Sequence, residues 1–224
     1  MNELELSGTG LDNVFTIELN GSKRIITKSL VTAASGEKII RSGSEEYRIW
    51  NPFHSKLAAI LLKNAVIPLM KDSAVLYLGA ANGTTASHVS DIVPDGTVYG
   101  VEFSPRAMQD LIHVSTRRTN LIPILADAMQ PGSYRNIVPE VDIIYQDVAQ
   151  REQARIAVGN GEMFLKKGGF LVLIIKSRSI DVNRKTRDVA ACEIKLLEGY
   201  FEILGFIDLE PFHSGHVAVL AKRT

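Results

Sequence analysis

Short, almost purely apolar runs recur from residue 74 onward, and a helix-like segment separates each from the next. These Val-, Ile- and Leu-rich runs lie at Ala74–Leu78, Thr97–Glu102, Ile122–Leu125, Val141–Tyr145 and Phe170–Ile175. Strands without polar alternation are buried on both faces, and strands that alternate with helices usually pair in parallel. The pattern therefore predicts a Rossmann-like α/β fold whose mostly parallel sheet is covered on both faces.

The covering helices are predicted between these runs, at Ser55 to about Ala65, Thr84–Ile92, Pro105–Arg117, Arg151–Leu165 and near Asp188–Phe201. Two last runs, Gly205–Leu209 and His216–Leu220, are separated by a short loop, so we expect an antiparallel hairpin at the sheet edge. Such a seven-stranded sheet ending in a hairpin is typical of class I methyltransferases that use S-adenosylmethionine.

The first 50 residues have a different pattern. Val14–Leu19 and Lys23–Thr27 are β-prone runs around Asn20-Gly21, a dipeptide typical of tight hairpin turns. Further turns are indicated at Ser35-Gly36 and Ser42-Gly43-Ser44. We therefore expect residues 1–50 to form a small antiparallel β domain that packs on a second domain, residues 51–224.

Composition limits the possible partners. Because 25 Lys and Arg balance 25 Asp and Glu, any contact with RNA or DNA requires a local basic patch or a partner protein. No apolar run approaches the ~20 residues that span a membrane, and the N-terminus is polar, so we expect a cytosolic protein. The single cysteine, Cys192, lies in a helix-like segment, where we expect it to be buried.

The segment Val75–Thr85 predicts a ligand-binding turn, in which a strand ends in Gly79-Ala80-Ala81 and a helix follows Gly83. Small residues let the backbone approach a ligand closely. Glu102, 19 positions after Gly83, is placed to bind a ribose diol. The glycines form G-x-x-x-G and not G-x-G-x-x-G, so the pattern indicates a nucleoside-containing cofactor without the dinucleotide fingerprint.

Ionisable groups end four of the five predicted parallel strands. In order, the strand ends are Gly79–Ala81, Glu102-Phe103, Asp127-Ala128, Asp147–Gln150 and Lys176. Ligands of such sheets bind beyond the carboxyl ends of the strands. The alternative is that the acidic residues only cap the following helices, but the number of strand ends involved favours a binding site.

The adenosine part of a cofactor would use the first of these groups. Glu102 should accept both ribose hydroxyls, and Phe103 should lie against the adenine. Asp127, with the backbone N–H of Ala128, suits the adenine amino group and ring nitrogens.

Other groups would contact the reactive end of the cofactor. Thr84 and Thr85 can offer hydroxyls and free N–H groups to a carboxylate, and Asp147 would lie nearest the sulfonium. Lys176 ends an apolar strand, so its ammonium either extends to solvent or enters the site with a partner; we favour the site. The basic segment Ser177–Arg187 is either an RNA contact or merely solvated.

Several motifs resemble those of the fibrillarin family. Tyr47–Ala58 resembles its YR-WNPF-SKLAA signature, and Leu76–Asp91 resembles its cofactor loop. Val101–Ser104, Asp127-Ala128 and Asp147–Gln150 complete the match. Because a Gly/Arg-rich N-terminal extension is absent from the sequence, the chain is similar to the archaeal form of the family.

The resemblance implies methyl transfer from S-adenosylmethionine to ribose 2′-hydroxyls of rRNA and of some tRNA. It also implies assembly into a box C/D ribonucleoprotein. There a Nop-domain scaffold protein docks on the enzyme, a kink-turn-binding protein anchors the RNA, and a guide RNA selects the target. For an archaeal-type cell, which has no nucleolus, we expect a cytoplasmic location.

The resemblance also implies a catalytic set of Lys56, Asp147, Lys176 and His216. His213 is an alternative to His216, because both lie in the same variable segment. A ribose hydroxyl is a weak acid whose proton must leave, so we expect Lys176 to be the general base, with Asp147 and Lys56 positioning it.

The cofactor-binding residues by the same resemblance are Tyr77, Gly79, Ala80, Ala81, Gly83, Thr84, Thr85, Glu102, Phe103, Asp127, Ala128, Asp147, Val148, Ala149 and Gln150. Two positions depart from the family pattern: His54 stands where arginine is common, and Gln146 where serine often precedes the Asp. Neither departure removes a catalytic group.

Three alternatives stay open. An NAD-dependent dehydrogenase is disfavoured by the missing G-x-G-x-x-G motif and by the terminal hairpin. A small-molecule methyltransferase would share the fold, but nothing in that class requires the signature at Trp50–Leu57. A non-catalytic assembly subunit is disfavoured by the intact set of strand-end groups.

Overall fold

Two sheets form the framework of the protein, for which a computed structural model describes residues 6–19, 21–32 and 37–224. The first sheet contains five described antiparallel strands, paired in the order β1-β2-β3-β5-β4. Their bounds are β1 Ser7–Gly8, β2 Val14–Leu19, β3 Ser22–Lys28, β4 Ile39–Ser42 and β5 Glu45–Trp50. Leu19 pairs with Ser22, which confirms the predicted first hairpin. Asn20 and the predicted turn at Ser35-Gly36 lie outside the described residues.

The second sheet has seven strands in the order β11-β12-β10-β9-β6-β7-β8. Their bounds are β6 Ala74–Leu78, β7 Thr97–Glu102, β8 Leu121–Leu125, β9 Val141–Gln146, β10 Leu165–Lys176, β11 Phe201–Asp208 and β12 His216–Arg223. Strands β6 to β10 pair in parallel, whereas β12 runs antiparallel between β10 and β11. The predicted α/β fold with an antiparallel C-terminal hairpin is confirmed.

The described helices are α1 Lys56–Leu62, α2 Thr84–Ile92, α3 Pro105–Ser115, α4 Gln153–Phe164, α5 Ser177–Ile180 and α6 Thr186–Leu197. Helix α1 ends before the predicted Ala65, because Asn64 adopts a left-handed conformation with φ of 60°. Helix α6 ends before the predicted Phe201, which instead begins β11 and is buried. These two C-terminal boundaries were wrong.

The core lies on both faces of the second sheet, because its strands present alternate apolar side chains to opposite sides. In β6, Val75 belongs to one buried cluster and Leu76 to the other. The first cluster also contains Val14, Ile25 and Trp50 from the first sheet. The first sheet therefore packs on the second sheet's layers, as expected for a sheet too small to bury a core alone.

A buried ionic network joins the two sheets. Asp91 of α2 is 1% exposed and accepts hydrogen bonds from Arg48 and Arg118 at 2.6 Å each, and from the Thr27 hydroxyl at 3.0 Å. His88 Nδ1 lies 2.8 Å from the same hydroxyl, and its ring stacks on Trp50. Buried charges are tolerated only when fully partnered, so these directional contacts set how β3 and β5 lie on α2.

Helix α6 corrects the expectation for Cys192, which is exposed. The buried face of this helix consists of Val189, Ala190, Glu193 and Leu197, and Cys192 lies off that face. Among the described helices, none combines the length and apolar character needed to cross a bilayer.

Replacing His88 with Phe should make stability less sensitive to acid. Burial, and then the charges of Arg48 and Arg118, hold the pKa of His88 well below its ordinary value of 6.5. Below pH 6.5 the unfolded chain therefore binds a proton that the folded protein does not. The free energy of unfolding should fall as the pH falls, by up to about 1.4 kcal/mol per pH unit from this group.

Phe keeps a flat ring on Trp50 but does not titrate, so the decline between pH 6.5 and 5 should be shallower in the variant. Urea unfolding at a series of pH values measures it. The exposed His113, changed to Gln, is the control and should leave the wild-type slope unchanged. Equal slopes for wild type and His88→Phe would contradict the assignment.

Candidate active site

The carboxyl ends of the parallel strands enclose a cavity of about 260 Å³. Its lining residues are Gly79, Ala81, Val101, Glu102, Phe103, Ala126, Asp127, Ala128, Asp147, Val148, Ala149, Gln150 and Lys176. All five predicted strand ends contribute to this one cavity. They meet because β10, β9, β6, β7 and β8 are neighbours in this order and run in the same direction.

The turn after β6 places backbone, not side chains, against the end of β9. Gly79, Ala81 and Gly83 all have positive φ, of 81°, 48° and 84°. A Cβ atom at Gly79 would lie 2.9 Å from the carbonyl oxygen of Asp147. Ala81 tolerates its strained conformation because its N–H donates to Glu102 Oε2 at 2.9 Å. The small-residue turn is therefore required by the close approach of two strand ends.

The Glu102 carboxylate is held by the backbone in an orientation that suits a diol. Oε2 accepts from Ala81, and Oε1 accepts from the N–H of Ser104 at 2.8 Å. Each oxygen thus uses one acceptor position, and a carboxylate has about four. Two remain for a pair of hydroxyls. Phe103 is exposed beside this carboxylate and lines the cavity.

Asp127 combines a structural role with its place in the cavity. Its Oδ1 accepts from the N–H of Met129 at 2.9 Å and from Gln150 Nε2 at 3.0 Å. The first bond closes a local turn and caps no helix, because the next helical turn, Pro131–Tyr134, begins after Gln130. The second joins the ends of β8 and β9, so both segments line the cavity in a fixed arrangement.

A carboxylate between two lysines forms the most polar part of the site. Asp147 Oδ2 lies 2.9 Å from Lys56 Nζ, and its Oδ1 lies 2.8 Å from Lys176 Nζ. Lys176 also donates to the Asp147 carbonyl at 2.7 Å. The three side chains are only 13–17% exposed. The structure thus brings together three predicted catalytic residues, from α1, from the position just after β9 and from the end of β10; they are here named the catalytic cluster.

Buried glutamines hold this cluster from behind, a role that the sequence did not reveal. Gln153 Oε1 accepts from the backbone N–H of Lys176 at 2.9 Å, and its Nε2 donates to the Gln150 carbonyl at 2.8 Å. Gln146 Nε2 donates to the Gln153 carbonyl at 2.7 Å. Nothing in the sequence distinguishes Gln153 from a solvent-facing residue at a helix start, because its partners come from distant strand ends.

The two candidate histidines lie at the rim of the site. His216 pairs with Lys176 across β10 and β12. Its Nδ1 lies 2.8 Å from the carbonyl oxygen of Ser214; a carbonyl only accepts, so Nδ1 carries the hydrogen and Nε2 keeps its lone pair. Burial lowers the pKa of His216, which favours the neutral ring at pH 7.

His213 has a different environment. Its Nε2 donates to the carbonyl oxygen of Pro52 at 2.8 Å, which ties the β11–β12 loop to the turn before α1. Burial and then the charge of Lys56 lower the pKa of His213. One ring nitrogen of His213 is thus engaged in a structural contact, whereas His216 is the cross-strand neighbour of Lys176.

Five predicted cofactor residues do not line the cavity: Tyr77, Ala80, Gly83, Thr84 and Thr85. Tyr77 and Ala80 are buried. The Thr84 hydroxyl donates to Asn82 Oδ1 at 3.0 Å, and the Thr85 hydroxyl donates to Ser55 Oγ at 2.9 Å. Both hydroxyls therefore have partners within the protein, and their contact with a cofactor stays a prediction.

The sheet order and the strand-end cavity are those of the S-adenosylmethionine-dependent methyltransferase fold. The sequence profile of the fibrillarin family matches residues 7–224. A fibrillarin-like rRNA/tRNA 2′-O-methyltransferase of Methanosarcina barkeri is 52% identical over 217 residues, which cover 94% of this chain and 96% of that protein. The chain belongs to the fibrillarin family.

Solved structures of fibrillarins have the same fold as this chain. Aeropyrum pernix fibrillarin, crystallised with natively bound S-adenosyl-L-methionine, superposes with a TM-score of 0.89 at 47% identity, over 99% of this chain and 100% of that one. The fibrillarin chain matched in a fibrillarin/Nop5p complex superposes with a TM-score of 0.86 at 42% identity, over 95% of this chain and 98% of that one.

Replacing Gly79 with Ala should destabilise the protein by about 2–5 kcal/mol. A left-handed conformation costs a non-glycine residue roughly 1–2 kcal/mol, and overlap with the Asp147 backbone costs about 1–3 more. Gly43 is the matched control: its φ is 59° and no described atom lies within 4 Å of its Cβ position. Gly43→Ala should lose only the conformational part. Urea unfolding compares the two, and equal losses would refute the close approach.

Proposed function

We propose that this protein transfers the methyl group of S-adenosylmethionine to ribose 2′-hydroxyls of rRNA and tRNA, as the catalytic subunit of a box C/D guide ribonucleoprotein. The observation that carries the proposal is the meeting of the catalytic cluster with a cavity that Glu102 and Asp127 also line. The family relationship, which extends over nearly the whole chain, supports the same activity.

The cavity fits this cofactor chemically. Glu102 retains acceptor positions for the ribose hydroxyls, Asp127 and Ala128 can contact the adenine edge, and Asp147 offers negative charge near a sulfonium. S-adenosylmethionine supplies an electrophilic methyl group. The protein therefore has to align the acceptor oxygen and accept its proton, and alignment alone can contribute ~7–11 kcal/mol.

Each residue of the catalytic cluster is assigned one part of this reaction. Lys176 is assigned as the general base, because its amine end lies at the cavity and is oriented by two Asp147 oxygens. Lys56 occupies the other carboxylate oxygen and so keeps Asp147 in place. The free lone pair on His216 Nε2 provides a second position for the departing proton.

Recruitment of RNA is assigned to partners. The formal net charge of zero gives the chain no general attraction to polyanions. A related fibrillarin forms a complex with Nop5p, which supports a Nop-domain scaffold for this chain. A kink-turn-binding protein and a guide RNA would complete the particle in the cytoplasm.

Lys176→Met should lower the methylation rate of a reconstituted particle by about 10²–10⁴-fold, the usual contribution of a general base. Met keeps the length of the side chain and removes the amine. The particle contains scaffold protein, kink-turn protein and guide RNA, and mapping of 2′-O-methyl groups gives the rate and the site.

Lys71→Met is the control, because this exposed lysine pairs only with exposed Asp95 in the described structure and lies before β6. Calorimetric titration should show that both variants bind S-adenosylmethionine within a few-fold of wild type. A wild-type rate for Lys176→Met, with normal assembly, would overturn the base assignment. No methylation by the wild-type particle would instead favour a non-catalytic assembly subunit.

The isolated protein should methylate unguided RNA poorly. It has no net positive charge, so it should bind RNA weakly without its partners. Methyl incorporation into the same RNA, with and without scaffold, kink-turn protein and guide RNA, measures the difference. Comparable turnover by the isolated chain would contradict guided recruitment while leaving the methyltransferase chemistry intact.

A further inference from the structure

Two polar side chains interrupt the buried apolar face of α4. Gln153 and Asn160 are both 0% exposed, and their spacing of seven positions places them on the same side of the helix. Between them, Ile156 and Ala157 pack in the same buried cluster as Leu76. A polar side chain is unfavourable in such a cluster unless it is hydrogen-bonded. The atoms that these two side chains contact are therefore the reason for their polarity.

Asn160 contacts the strand end on the adenine side of the cavity. Its Nδ2 donates to the carbonyl oxygens of Ala128 and Ile156 at 2.9 Å each. Its Oδ1 accepts from the hydroxyl of Tyr134. Both ends of the amide are thus engaged, so the amide has one orientation and holds the Ala128 carbonyl in a fixed place.

Ala128 lies in a turn that is constrained on both sides. The Gln130 N–H donates to the Asp127 carbonyl at 2.9 Å, and the Met129 N–H donates to Asp127 Oδ1 at 2.9 Å. With the bond from Asn160, both peptide groups of Ala128 are held. Among the described residues, none accepts a hydrogen bond from the Ala128 N–H, and Ala128 lines the cavity. One oriented donor therefore remains for a ligand.

Helix α4 joins the two ends of the cavity. Gln153, its first residue, accepts from the backbone N–H of Lys176 at 2.9 Å, and Asn160 holds Ala128. Seven residues of helix separate these anchors by ~10 Å, and both Lys176 and Ala128 line the cavity. The helix is fixed along its axis, because the buried carboxylate of Glu193 on α6 accepts from the N–H of its second residue at 2.7 Å.

We propose that α4 positions both halves of the site: Asn160 orients the Ala128 peptide that contacts the adenine edge, and Gln153 orients the backbone of Lys176. The inference rests on the proposed methyltransferase function and specifies how the base of the cofactor is recognised. Adenine accepts at N1 and donates from its 6-amino group, which matches the Ala128 N–H and the Asp127 carboxylate. Hypoxanthine carries a hydrogen on N1 and would set donor against donor. Asn160 therefore determines specificity without touching the cofactor.

Two cofactor analogues test the assignment of Asn160. Calorimetric titration compares S-adenosylhomocysteine with S-inosylhomocysteine, in which hypoxanthine replaces adenine. The wild-type protein should bind the adenosyl compound at least about 10-fold more tightly, because facing donors leave a buried group unpaired. Asn160→Leu should weaken binding of the adenosyl compound about 10-fold and of the inosyl compound less than about 3-fold. The preference falls because the Ala128 N–H loses its fixed direction.

Asn120→Leu is the matched control. The Asn120 Nδ2 donates to the carbonyl oxygens of Ser90 and Val93 at 2.9 Å each, and its Oδ1 accepts from the Ser90 hydroxyl at 2.8 Å. These are the same three kinds of bond, but Asn120 precedes β8, at the end of the strand opposite to the cavity. Urea unfolding should show similar losses of stability for both Leu variants, whereas Asn120→Leu should keep both wild-type affinities.

Tyr134→Phe tests the same assignment without a change at position 160. Phe keeps the ring stacked on Phe164, whose centroid lies 5.3 Å away, and removes the hydroxyl that orients the Asn160 amide. The preference for the adenosyl compound should fall in the same direction, by about 3-fold.

Gln153→Leu should act on the rate and not on base recognition. In the reconstituted particle at saturating S-adenosylmethionine, kcat should fall about 10-fold, because the Lys176 amine loses its alignment. The ratio of the two analogue affinities should stay within about 3-fold of wild type. A general loosening of the fold would instead change both the rate and the ratio.

Two results would overturn the proposal. One is an unchanged preference for the adenosyl compound in Asn160→Leu, whether both affinities fall equally or neither changes. The other is a wild-type kcat for Gln153→Leu. Failure of the proposed function is recognised separately: the wild-type protein would bind neither analogue, or the wild-type particle would form no 2′-O-methyl groups while the binding results stand.

Discussion

The approach of the β6 turn to the end of β9 is the constraint on which the site depends. Asp147 donates its backbone N–H to Leu78 at 2.9 Å, and at Gly79 there is no room for a side chain beside the Asp147 carbonyl. This parallel pairing places the Asp147 carboxylate at the cavity between Lys56 and Lys176. If the two strand ends were farther apart, Asp147 would move away from the turn that Glu102 holds, and the cofactor and catalytic halves of the site would separate.

The first sheet, through its attachment to α2, helps to position Lys56 of the catalytic cluster. The charges of Arg48 and Asp91, with the Trp50–His88 stack, set the position of the chain as it leaves β5. The Asn51–Ser55 turn and the first residue of α1 follow immediately, so the orientation of the small sheet determines where Lys56 lies. This dependence explains why a peripheral sheet shares a hydrophobic cluster with the central one.

The local sequence pattern predicted the bounds of an element correctly where those bounds depend on neighbouring residues alone. The bounds of β6, β7 and α2 were predicted to the residue. The two apolar strands end just before Gly79 and at Glu102, and the helix begins after Gly83 and ends just before Val93-Pro94. The pattern gave wrong predictions where the conformation of the folded chain sets the end of an element or the burial of a side chain. Asn64 adopts a left-handed conformation that ends α1 early, Phe201 joins a strand, and Cys192 lies outside the buried face of α6.

The sequence by itself determined the class of fold and the groups at the strand ends, because parallel strands separated by helices must end at one edge of a sheet. It also determined the family, through long motifs such as Tyr47–Ala58. Only the tertiary structure decided which groups touch: the two lysines on Asp147, Gln153 behind Lys176, and Phe53 on Phe212. Residues 23 to 159 positions apart meet in these contacts, and no local pattern encodes the distance between them.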